Sequence, residues 1–139
     1  MPQQTHRITQ RAFTLMELVL VVVILGIIAG FVIPNFETTI ERAHSNDAKA
    51  NLRAIHSANR IYYAEKNSYW PETAGSYNLA AINSALRLSI YANGMGYTCA
   101  PGITLGTTYQ CDAERNDWAL RITEAYPTTA ITCIAGTCP

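Results

Sequence analysis

The stretch 13-FTLMELVLVVVILGIIAGFVIP-34 decides the architecture of this chain. From Phe13 to Ile33 only Thr14 and Glu17 interrupt an apolar run. As an α-helix that run would measure roughly 30 Å, about the hydrocarbon thickness of a bilayer, so it reads as a membrane-spanning helix. Glu17 conflicts with that reading. A carboxylate at membrane depth costs several kcal/mol and is kept where a partner or a function requires it. The bland alternative is a helix-end carboxylate, solvated because it lies so close to the start of the run.

A short polar leader, MPQQTHRITQRA, precedes the run and carries Arg7 and Arg11 without an acidic residue, as a cytoplasmic segment should. A secretory signal peptide would place a small-residue cleavage site after its apolar core; here Ala29 and Gly30 are followed by Pro34 and Asn35, and the run is longer than a usual signal core. The residues Ala12-Phe13-Thr14-Leu15-Met16-Glu17-Leu18 resemble the processing motif of type IV pilins and pseudopilins. That resemblance implies a prepilin peptidase cutting between Ala12 and Phe13 and methylating the new amine, so that the apolar segment survives processing. Ala12 stands where the family usually has Gly, and Ala is small enough for cleavage to be expected there. The resemblance also implies an assembly role for Phe13 and Glu17: the amine of one copy pairs with the Glu17 carboxylate of its neighbour. Two charges that are each costly in a dry core then neutralise one another and set the register.

Helical character continues past Pro34. Apolar or small residues recur at helical spacing in Phe36, Ile40 and Ala43, then in Leu52, Ile55, Ala58 or Asn59, and Tyr62, with Glu37, Glu41, Lys49, Arg53 and Arg60 on other faces. Together Phe13–Lys66 would extend about 80 Å, longer than a small domain can cover, so its first half is expected to protrude. Pro34 removes a backbone donor inside this helix, and Gly26 and Gly30 loosen the same turns. A kink or local melting is expected there, and the family resemblance implies loss of helical order at these positions in a packed filament. Gly26 and Gly30 also form a GxxxG arrangement that permits close helix contact, with backbone freedom as the alternative reading.

Beyond Asn67, Pro71 and Gly75 are expected to end the helix. Asn78 is a fair N-cap for a short helix with Leu79, Ile82, Leu86 and Ile90 inward. Strands are expected at Met95–Cys99, Thr107–Ala113, Trp118–Glu124 and Ala130–Ile134, with a tight turn at Arg115-Asn116-Asp117. The fold class is therefore α+β: a long N-terminal helix, half transmembrane and half amphipathic, packed on a small antiparallel sheet. Leu52, Ile55, Tyr62, Trp118, Leu120 and Ile122 form the expected core. The expected divisions are a leader over 1–12, an apolar helix over 13–34, an amphipathic half over 35–68 and a head over 69–139.

The four cysteines, Cys99, Cys111, Cys133 and Cys138, all follow the anchor, which suggests disulfides outside the cytoplasm. Three pairings are open. Cys99–Cys111 with Cys133–Cys138 is favoured, because the first would join adjacent strands and the second would close a small loop; the latter placement also resembles the C-terminal disulfide of many pilins.

Charge is balanced at ten basic and ten acidic side chains, which points to no general nucleic-acid binder. Arg53, Arg60, Arg87, Arg115 and Arg121 remain candidates for a DNA-contacting strip, diluted by Glu114, Asp117 and Glu124. His6, His44 and His56 are too scattered for a metal site, and Asp112, Glu114 and Asp117 are the nearest approach to the calcium loop of the major pseudopilins. No catalytic motif appears, and no enzyme activity, metal or cofactor is expected. The aromatic group Tyr62, Tyr63, Tyr69 and Trp70 reads as a collar between helix and head.

Taken together, the expected function is a structural subunit of a homo-oligomeric type IV pilus-like filament. Its expected partners are prepilin peptidase, the inner-membrane assembly machinery and, before assembly, the membrane. It would lie in the inner membrane and then in an extracellular or periplasmic filament. A minor pilin or a type II secretion pseudopilin is the alternative, and a monomeric domain on an uncleaved anchor is the reading from another class.

Overall fold

A helix with inward residues every three or four positions needs a flat apolar surface to cover it, and the strand-like segments supply one. The computed structural model describes residues 13–139, apart from the side chains of 31–35. Residues 1–12, with the expected cut after Ala12, lie outside the described residues. The chain divides into two compact units, one ending at Thr38 and the other covering Thr39–Pro139. Helix α1 (Leu15–Lys66) contributes to both and is a single uninterrupted element through Gly26, Gly30 and Pro34.

In the Thr39–Pro139 unit, Ser45, Ala48, Leu52, Ile55 and Asn59 of α1 are fully buried. They face a five-stranded antiparallel meander, β1 (Tyr77–Asn78), β2 (Gly96–Pro101), β3 (Tyr109–Arg115), β4 (Trp118–Thr123) and β5 (Thr132–Ala135), in chain order across the sheet. Tyr97 and Cys99 of β2, Tyr109, Cys111 and Ala113 of β3, and Trp118, Leu120 and Ile122 of β4 alternate onto the buried face. Full burial of each Leu or Ile here contributes about 1.5–3 kcal/mol. Tyr62, expected in the core, is only half-buried at its edge.

Phe36, Ile40 and Ala43, which share the helical spacing, are exposed, and the fully buried stripe begins at Ser45. The reason is reach. Strands of six or seven residues span about 20 Å and so cover only about fifteen helical residues.

Helix α1 ends at Lys66, where the sequence reading places its end: Asn67 adopts a left-handed φ of 56°, and its N–H donates to Tyr63 O at 2.8 Å. The chain then turns back and is pinned by Asn59, whose Nδ2 donates to Trp70 O at 2.6 Å while its Oδ1 accepts from Trp70 N at 2.9 Å. Asn83 of helix α2 (Leu79–Leu86) holds Ile90 in the same two-point manner, at 2.8 and 3.1 Å. In both places a side-chain amide supplies the partners that a neighbouring strand would otherwise provide. Asn78 caps α2 by accepting from Ala81 N at 3.1 Å, and Ile82 and Leu86 point inward.

The sheet edges differ from the expected ones. Strand β1 is only two residues long, too short for any periodicity, and pairs Tyr77 with Cys99 and Asn78 with Thr98. Strands β2, β3 and β5 each lie one or two residues later than the expected spans. The β3–β4 turn uses Asn116 at a φ of 50°. Disulfides join Cys99 to Cys111, directly opposed on β2 and β3, and Cys133 to Cys138. The second loop passes over the β3–β4 turn so closely that a Cβ on Gly136 would stand 2.0 Å from Asp117 O, at a φ of 62°.

Candidate assembly surface

A helix apolar on every side must be covered by something. In the first unit every large apolar side chain described from Phe13 to Ile28 is exposed, from Phe13 at 84% to Val19 at 46%. A Cβ built on Gly26 or Gly30 meets nothing within 4 Å, so neither glycine is required by packing inside the chain. Among the described residues no helix is long and apolar enough to cross a membrane; the span read from the sequence includes 31–34, whose side chains lie outside the described residues.

The one charge in this stretch sits at its N-terminal end. Thr14 N–H donates to Glu17 Oε2 at 3.1 Å and Thr14 Oγ1 to the same oxygen at 3.2 Å, while Glu17 N–H donates to Thr14 Oγ1 at 3.2 Å. This reciprocal pattern is a capping box, in which a Thr and a Glu three residues on satisfy backbone donors that the first turn leaves free. Its signature, T-x-x-E before an apolar run, stands in the sequence at Thr14 and Glu17. Glu17 thus has a local task as a helix cap, and its carboxylate is held one residue from Phe13.

A second charged group lies beside the sheet. Glu41 Oε2 accepts from Trp118 Nε1 at 3.0 Å, and both Glu41 oxygens accept from Arg115 Nε at 3.3 Å. Arg115 also donates to Gly94 O at 3.0 Å. The Trp118 hydrogen bond, and then Arg115, hold the Glu41 carboxyl below the usual carboxylate range against the opposing effect of desolvation. Sequence spacing could not reveal this cluster, because Glu41 stands more than 70 positions from both Arg115 and Trp118.

Of the five arginines considered for a DNA-contacting strip, Arg115 is engaged by Glu41 and Arg121 by Asp112, the latter at 2.7 and 2.6 Å in a two-point pair. Asp112 is therefore also engaged, and among the described residues no His, Cys, Asp and Glu cluster could hold a metal ion. His56 is buried, with Nδ1 and the Tyr109 hydroxyl 2.6 Å apart and Tyr126 edge-on at 5.2 Å. Burial, and then Arg60, push the His56 imidazole below its ordinary range. Burial raises the Tyr109 hydroxyl. Tyr63, Tyr69 and Tyr109 form a connected aromatic run with centroids 4.5 and 5.2 Å apart, and Trp70 packs against Tyr77 in a tilted pair at 5.2 Å.

The chain thus pairs an exposed apolar helix, capped at an acidic N-terminal turn, with an α+β head. Residues 7–33 match the prokaryotic N-terminal methylation motif. Along its length the chain is similar to a type IV major pilin and to type II secretion system core proteins G. It is 32% identical over 127 residues to the type IV major pilin protein PilA of Myxococcus xanthus, covering 90% of this chain and 48% of the relative. Against the type II secretion system core protein G of Escherichia coli it is 31% identical over 88 residues, covering 63% of this chain and 61% of the relative. The core protein G of Vibrio cholerae is 42% identical over 64 residues, covering 46% of this chain and 43% of the relative. The chain therefore spans about half of the length of these relatives, up to 61%. No solved structure matches it significantly.

Proposed function

We propose that this chain is a structural subunit of a type IV pilus-like filament, processed by prepilin peptidase and assembled through α1. The observation that carries the reading is the stretch from Phe13 to Ile28, helical from Leu15, whose large apolar side chains are all exposed and whose one carboxylate, Glu17, is held at its N-terminal end. Such a surface is unfavourable in water and finds cover first in lipid and then against the same helix of other copies.

In this reading residues 1–12 are a leader removed between Ala12 and Phe13. The amine of Phe13 in one copy meets Glu17 of a neighbour, so each charge enters the filament core with a partner. Gly26, Gly30 and Pro34 give the helix the freedom to adjust as it packs. The subunit waits in the inner membrane, is moved by an assembly machinery there, and ends in a filament with the head outside the cytoplasm. Similarity to PilA along 90% of this chain favours a pilin. The several core protein G relatives support a pseudopilin as the second reading.

Mass spectrometry of the exported protein, with electron microscopy of sheared appendages, tests this. A methylated Phe13 start and filaments containing the protein are expected. An intact Met1 start with no filaments overturns the reading in favour of an anchored monomer.

A further inference from the structure

Two apolar features of the Thr39–Pro139 unit lie open to solvent. The first is the β2–β3 loop, 102-GITLGTT-108, which carries no charge and exposes Ile103 completely and Leu105 by 53%. It is nevertheless built rigidly. Thr108 Oγ1 accepts from Thr104 N at 3.0 Å and donates to Thr104 O at 3.0 Å, and Thr108 N donates to the same oxygen at 3.0 Å. Gly102 N donates to Thr108 O at 2.9 Å, and Tyr69 N fastens the loop to the end of α1 through Gly106 O at 2.7 Å. A stiff loop with an apolar tip loses little entropy when it docks, which is the signature of a preorganised binding element.

The second feature is a groove of about 280 Å³ between α1 and α2, with Ala58, Ile61, Leu86 and Leu88 in its lining and Glu65 and Arg87 beside them. Ile61 is 64% exposed.

We propose that the Ile103–Leu105 tip of one copy seats in the Ala58–Ile61–Leu86–Leu88 groove of the next copy along the filament. The inference rests on the filament reading. Loop and groove lie on different flanks: the groove uses the Ala58, Ile61 and Glu65 side of α1, whereas the loop is held by Tyr69, which stacks on Tyr63 and Tyr109, near His56. At 3.6 residues per turn His56 and Tyr63 stand roughly half a turn away from that side. A contact between two different patches is heterologous and leaves each copy with one free loop and one free groove, which propagates an open helix instead of closing a dimer.

Size argues the same way. Two aliphatic side chains bury only a few hundred Å², well short of the roughly 1,200–2,000 Å² of a free-standing interface. The contact therefore needs copies that are already tethered, and the groove is continuous with α1, the element that tethers them. The loop itself brings no charge to desolvate into a groove whose lining already includes Glu65 and Arg87.

Cysteine cross-linking in assembled filaments tests this. All four native cysteines are in disulfides, so Ile61→Cys and Ile103→Cys introduce the only free thiols. The double variant should give a ladder of dimers and higher multimers with a mild oxidant or a short bis-maleimide, about tenfold above either single variant because neighbours are held at high effective concentration. The two single variants mixed before assembly should stop at dimers, and detergent-dispersed monomer should give neither product. Filaments of normal appearance without the ladder, or with Ile103→Cys joined to itself, overturn this contact while leaving the filament reading intact. Absence of filaments from the wild-type chain overturns the filament reading itself.

Discussion

Asn59→Ala should be among the most damaging single changes in the Thr39–Pro139 unit. The side chain is fully buried and satisfies both backbone groups of Trp70, at 2.6 and 2.9 Å. Removing it leaves a part-buried N–H and C=O without their partner, each costing about 1–3 kcal/mol when water cannot replace it. Partial access of water to Trp70 argues for the lower half of that range, so the expected loss is about 2–4 kcal/mol. For a unit of about 100 residues this corresponds to a fall in melting temperature of roughly 10–20 °C. Thermal unfolding of the detergent-solubilised full chain, followed by tryptophan fluorescence, measures it. Hydrogen exchange at the Trp70 amide should accelerate under native conditions. Ser57→Ala is the control: its Oγ donates to Arg53 O on the exposed side of the same helix, and its loss should change stability by less than about 0.5 kcal/mol. A melting temperature for Asn59→Ala within a few degrees of wild type refutes the claim that this amide pins the returning chain.

Glu17→Gln and Glu17→Ala separate the two tasks of Glu17: Gln keeps a capping-box acceptor but no charge, whereas Ala removes both. Loss of filaments with either variant, counted by electron microscopy, is expected if charge pairing drives assembly; normal yield from Glu17→Gln would reduce Glu17 to a cap. Replacing Cys133 and Cys138 together with Ser should cost about 2 kcal/mol and replacing Cys99 and Cys111 about 3 kcal/mol on loop entropy, with a further loss for the second pair because Ser hydroxyls would enter the core. Denaturant titration measures both, and equal costs would contradict the core placement of Cys99 and Cys111. Acid should weaken the unit in two stages. Neutral, buried His56 contributes stability that is complete above its ordinary pKa of 6.5 and declines as pH falls through its lower folded value, since the unfolded chain takes the proton first. Glu41 contributes stability that is complete above 4.5 and is lost as pH falls through its own lower folded value. Melting temperature against pH should show both stages, and His56→Asn should remove the upper one.

The apolar run after Phe13, the charge at Glu17 and the helical spacing of Leu52 and Ile55 are properties of neighbouring residues, so the long helix and the α+β class could be read from the order of amino acids. Local chemistry likewise announced Asn78 as a cap and Asn116 as a turn. What position along the chain could not decide was where long-range partners meet. The buried stripe starts at Ser45 and not at Phe36 because the sheet is only about 20 Å long. The end of α1 at Lys66 is legible in the sequence, but the return of the chain onto Asn59, which pairs with both backbone groups of Trp70, is not. The same holds for Glu41, Trp118 and Arg115, and for the groove between α1 and α2: each is assembled from segments tens of residues apart, so it exists only once the meander has folded against the helix. Periodicity records what a segment must hide from water, whereas tertiary packing decides which surface hides it.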